Sequence, residues 1–141
     1  MKWLAIIFVL CLPLVVAHGN AQSAQAGVYT VELITFPEQL EPGQTQLVVH
    51  VLDGETPVPD KHVWLRLTDD KKTYLAGTFV TDQLGSITLS YLFNGPGEYE
   101  LAADVEGSRA LFEVHVHGQY MLLFGFLAAV FIVVALLLEK I

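Results

Sequence analysis

The chain has 141 residues, 53% of them apolar, with 7 Lys and Arg against 15 Asp and Glu for a formal net charge of -8. That acidic balance argues against a nucleic-acid partner, which needs a concentrated basic footprint, and a single cysteine sets aside a disulfide framework or a thiolate cluster. The apolar excess over the ~45–50% of ordinary soluble domains sits in residues 3–17 and 120–138, and what lies between suffices for one small domain.

Lys2 is followed by an apolar run from Trp3 to Ala17 and then by small polar residues. This pattern predicts a secretory signal peptide over residues 1–17. Pro13 and the short run suit a spanning helix poorly. Cleavage after Ala17 leaves His18 as the first residue, after Ala21 it leaves Gln22, and after Ala26 it leaves Gly27. The first is preferred because it lies nearest the end of the apolar run. Cys11 lies inside that run, where lipid modification is not expected, so cleavage leaves a mature chain without cysteine. Residues 18–26, His-Gly-Asn-Ala-Gln-Ser-Ala-Gln-Ala, read as a flexible arm.

From Gly27 the apolar period is two. Val63, Leu65 and Leu67 alternate with Trp64, Arg66 and Thr68, and Phe112, Val114 and Val116 alternate with Glu113, His115 and His117. Turn signals recur at Pro42-Gly43, Asp53-Gly54, Pro57 with Pro59, Asp69-Asp70, Leu84-Gly85, Asn94-Gly95-Pro96-Gly97 and Glu106-Gly107. Seven strands are predicted, over residues 28–36, 44–52, 61–68, 73–81, 86–92, 98–105 and 109–117. That spacing predicts an all-β, seven-stranded immunoglobulin-like sandwich over residues 27–118. Its expected core is Leu33, Leu47, Val49, Val51, Val63, Leu65, Leu67, Ile87, Leu89, Tyr91, Tyr99, Leu101, Val105, Phe112, Val114 and Val116. Trp64 faces away from this set, covering a sheet face or marking a contact surface.

Residues 119–138 are predicted as a single transmembrane helix. Tyr120 to Leu138 is 19 residues without a charge, enough to cross a ~30 Å hydrocarbon layer. Glu139-Lys140-Ile141 is then a cytoplasmic tail, and the domain lies outside the plasma membrane, with the lipid bilayer met through residues 120–138. Gly125, Ala128 and Ala129 give the helix a small-residue side suited to close contact with another helix; ordinary membrane-helix composition is the competing explanation. Between the last strand and the span stand Gly118 and Gln119 alone. Residues 18–118 carry five basic and fourteen acidic residues, which disfavours lying flat on anionic lipid.

Several runs carry a family likeness. Pro42-Gly43-Gln44, Leu47 through Val58 and Val63-Trp64-Leu65-Arg66-Leu67 resemble the YtkA-like family and the transthyretin-like and carboxypeptidase-regulatory-like sandwiches. Thr81-Asp82-Gln83-Leu84-Gly85 resembles their threonine, aspartate, then glycine turn, and Pro96-Gly97-Glu98-Tyr99 their approach to the next strand. The likeness covers residues 28–117. It implies an extracytoplasmic, membrane-attached sandwich with a role around copper or oxidase assembly. The methionine-rich copper stretches of many copper carriers have no counterpart, since the only methionines are Met1 and Met121.

Five histidines are the remaining chemical candidates: His18, His50, His62, His115 and His117. No nucleophile triad, HExxH motif or phosphate loop is legible, and no enzymatic activity is expected. His115 and His117 share one strand face with Glu113, a set able to contribute to a copper or zinc site; a plain wet strand face is the alternative. If cleavage follows Ala17, His18 offers both an amine and a ring nitrogen. The Ala17-His18-Gly19 run resembles the processing site of CopC-like copper proteins and of histidine-brace oxygenases. That resemblance implies an internal partner, from His50 or from the His115/His117 pair. His62 and the acidic turns read as solvated surface.

Two functions follow. The first is a non-catalytic accessory or structural subunit of a larger membrane complex, such as a respiratory one, with other membrane-protein subunits contacted through Trp64, Leu92 and Phe93. The second is a copper-binding or copper-delivery module using His18 and the strand histidines.

Overall fold

The computed structural model describes residues 20–118. The expected signal peptide, His18, the expected transmembrane helix with Gly125, Ala128 and Ala129, and the tail lie outside the described residues. Among the described residues no helix is long and apolar enough to cross a membrane.

The described chain is all-β. Its strands are β1 (Asn20–Ala26), β2 (Tyr29–Phe36), β3 (Gly43–Asp53), β4 (Thr56–Pro57), β5 (His62–Thr68), β6 (Thr73–Val80), β7 (Ser86–Phe93), β8 (Gly97–Val105) and β9 (Ser108–Val116). They form two antiparallel sheets. One joins β1, β2 and β3, with β7 and the short β4 sharing the far edge of β3; the other runs β6-β5-β8-β9. The core lies between them. Val63, Leu65 and Leu67 of β5 stand opposite Val105, Ala103 and Leu101 of β8, all fully buried, as the period-two pattern requires.

The seven strands read from the sequence are present within one residue at each end. Two more are added. β1 occupies the stretch expected to be a flexible arm, and it pairs with β2 along its whole length, from Asn20 opposite Thr35 to Ala26 opposite Tyr29. Its alanines, serine and glutamines have little strand preference of their own. They suit a crowded place instead: Ala26 is buried, and a Cβ on the adjoining Gly27 would come 2.7 Å from the Ser108 hydroxyl. The expected core is fully buried except at Leu89, Tyr91 and Tyr99, which are partly covered.

The threonine-aspartate-glycine turn between β6 and β7 works as a lock. The buried Thr81 hydroxyl donates to the Val58 carbonyl at 2.7 Å and accepts the Lys61 N–H at 2.9 Å. Asp82 accepts the N–H groups of Leu84 and Ser86 at 2.8 and 2.9 Å. The β3–β5 connection is thereby tied to the head of β7.

Candidate functional site

The last strand alternates cleanly. Phe112, Val114 and Val116 are buried, while Glu113, His115 and His117 are exposed on the outer face. Antiparallel pairing places Glu98 opposite His115 and Glu100 opposite Glu113. His115 thus sits between two carboxylates, its Nε2 3.4 Å from Glu113 and its Nδ1 3.8 Å from Glu98. The β5–β6 turn adds Asp69 and Asp70, and together with Thr68, Tyr99 and Glu100 these groups line an open depression of about 470 Å³.

The acids here play different parts. Asp69 is occupied within the fold. Its Oδ1 accepts the N–H groups of Lys71 and Lys72, both at 2.7 Å, and its Oδ2 accepts the Tyr74 hydroxyl. These bonds, the Tyr74 bond foremost, hold its carboxyl below its usual range. Tyr74 is pushed up to about 12, chiefly by the same bond. Glu100 and Glu113 instead face each other across the ladder, where like charges repel. A cation or a basic side chain entering the depression relieves that repulsion.

The Asp69–Tyr74 pair has a testable consequence. Asp69 is lowered by folding, so its stabilising contribution is present above the ordinary carboxylate range and lost as pH falls through its folded value. Tyr74 is raised, so its contribution is present below the usual tyrosine value of ~10 and lost as pH rises toward about 12. Tyr74→Phe is expected to flatten both limbs of a plot of stability against pH. An unchanged profile contradicts the role given to this pair.

The histidines do not all converge. His50 projects from the outer face of the other sheet, opposite Glu32 and Ser86, so the sandwich core separates it from His115. His50 and the His115/His117 pair therefore belong to different faces, and one site does not use both. His62 opens β5, at the opposite end of the sandwich from His115. His115 and His117 do meet the start of the chain. The Gln22 side-chain amide donates to the Glu113 carbonyl at 2.7 Å, and Gln22, Thr35, Glu38 and Leu40 line a smaller hollow with Glu113, His115 and His117. Among the described residues no group of three or more His, Cys, Asp or Glu is arranged to hold a metal ion.

The expected contact residues separate by face. Trp64 is half-buried on the outer face of the β5 sheet, with the Arg66 guanidinium 6.0 Å from its ring centre. Ala102, beside Arg66 on the same face, is 1% exposed. Leu92 is 59% exposed, whereas Phe93 is 2% exposed and packs into the core, so Phe93 presents no contact surface. The sequence does not single out Leu111, 52% exposed opposite Ala102, or Glu98 and Glu100 as site residues, and it reads Asp70 as part of a solvated turn. The Glu-x-Glu spacing of Glu98 and Glu100 signals a shared strand face, but only the strand register sets that face against Glu113 and His115.

Comparison with protein-family models, with curated proteins and with solved structures finds no match to this chain.

Proposed function

We propose that this chain is an accessory or structural subunit of a larger membrane complex: an immunoglobulin-like sandwich held on the extracytoplasmic face of a membrane by one C-terminal helix. One observation carries the reading. Strand pairing continues to the last residues of the domain: Leu40 pairs with Val116, and the Leu40 carbonyl accepts the His117 N–H at 2.7 Å. Only Gly118 and Gln119 separate this pinned end from the uncharged run that begins at Tyr120. A tether of two residues holds the sandwich at the bilayer surface. Its distance from the bilayer is then limited, which suits docking against a neighbouring subunit and not reaching for a distant ligand.

The copper reading is favoured by a different feature. β1 starts at Asn20 and lies beside β9 through the Gln22–Glu113 bond. His18 stands two residues before Asn20, a reach of up to ~7 Å for extended chain. With cleavage after Ala17, that length of chain would let a free amine and imidazole at residue 18 reach the His115/His117 end.

One purification tests both. The full chain, tagged at its C terminus and extracted from its native membrane in mild detergent, is expected to resist carbonate extraction and to carry integral-membrane chains in fixed stoichiometry. Recovery of the chain alone refutes the subunit reading. An N terminus other than His18, or no bound copper after loading and dialysis, refutes the copper reading.

A further inference from the structure

The two sides of the sandwich are finished differently. On one side β1 and β9 close over each other, joined by the Gln22–Glu113 bond and by the approach of Gly27 to Ser108. On the other side β6 ends one sheet and β7 ends the other, and neither has a further strand partner among the described residues. Both have eight residues. Thr73-Tyr74-Leu75-Ala76-Gly77-Thr78-Phe79-Val80 and Ser86-Ile87-Thr88-Leu89-Ser90-Tyr91-Leu92-Phe93 contain no charge and no proline, the devices that normally blunt an edge. The one irregularity is a register shift at Leu67/Thr68, opposite the start of β6. The core is thin here too: Leu75, Phe79, Leu89 and Tyr91 are only partly covered.

We propose that this open side is an interface with a second copy of the same chain, in which β6 of each copy pairs with β7 of the other. The topology fits this occupant. β6 and β7 run in opposite directions and lie in different sheets on one side of the molecule. A two-fold axis parallel to the strands therefore sets each β6 against the partner copy's β7 in antiparallel sense and makes both contacts at once. Each resulting sheet joins five strands of one copy to four of the other. With residues 75–80 aligned to residues 91–86, Leu75, Gly77 and Phe79 point inward with Tyr91, Leu89 and Ile87, while Ala76 meets Ser90 and Thr78 meets Thr88 on the outside. No carboxylate enters the seam, although the domain carries fourteen acids against five basic residues. A seam through the outer face of the β5 sheet would oppose Glu98, Glu100, Asp104 and Glu113 to their own copies. The axis also leaves both C termini at the same end.

The test uses the full chain in detergent with Cys11→Ser as background. Ala76→Cys and Ser90→Cys are made in separately tagged copies, both at exposed positions; directly opposed antiparallel residues lie ~4.5–5.5 Å apart between Cα atoms, within disulfide reach. Light scattering is expected to give two chains per particle, and mild oxidation to link Ala76→Cys to Ser90→Cys in the mixture and neither variant to itself. Thr78→Cys with Thr88→Cys is expected to repeat the result. A single chain per particle overturns the proposal. So does a dimer whose crosslinks form as readily between identical positions, or one in which neither mixed pair links, as happens if another subunit's strand occupies these edges.

Discussion

Replacing Phe93 with alanine is expected to destabilise the domain by about 3–5 kcal/mol, while Leu92→Ala next to it costs under about 0.5 kcal/mol. Phe93 closes β7 with its ring inside the sandwich, 4.8 Å from the ring centres of both Tyr91 and Tyr99. Tyr99 in turn stands edge-on to Tyr74 at 5.4 Å. Truncation opens a cavity and removes two aromatic contacts, each worth about 0.5–1.5 kcal/mol beyond buried area. Thermal unfolding of the full chain reads the difference: Phe93→Ala should melt more than about 10 °C lower. If Leu92→Ala is the damaging change, β7 is out of register by one residue and its faces are exchanged.

Gly85→Ala is expected to cost about 2–4 kcal/mol, from a left-handed backbone that an L side chain resists and from overpacking. Gly85 has φ +70°, and a Cβ there would lie 2.8 Å from the Val58 nitrogen and 2.9 Å from the Val51 oxygen. Those two atoms are bonded to each other at 2.9 Å, and the Gly85 carbonyl accepts the Val51 N–H at 2.9 Å. The obstruction is thus backbone already committed to β3, and no side-chain rotation relieves it. Gly54→Ala is the matched control. It shares the left-handed conformation, with φ +62°, but a Cβ there meets nothing within 4 Å, so only the conformational part of the cost remains. Denaturant unfolding of the two variants separates them, and equal losses contradict the crowding assigned to Gly85.

How far the candidate site was legible follows from the same distinction. The outward alternation of Glu113, His115 and His117 is a property of one strand, so it could be read from spacing alone. His50 also reads as outward, but on which of two faces depends on which sheet holds its strand. The opposition of His115 to Glu98, and of Glu113 to Glu100, depends on a register between strands joined by the Glu106-Gly107 turn. Phe93 reads as a contact from sequence because aromatic residues anchor interfaces. Its burial is decided by Tyr99, which meets it across the sandwich, and by Tyr91 beside it on the same face of β7.

By itself the sequence determined seven strands to within a residue, the faces that most of them bury, and the turns that join them. These are local matters, set by a side-chain period of two and by residues that favour turns. Only the tertiary structure made a strand of Asn20–Ala26, because small polar residues carry no apolar period and pair where the neighbouring edge needs a thin partner. It also decided which edges are sealed and which stay open among the described residues, since an edge is defined by the strand that is absent beside it, and no stretch of a single strand records that.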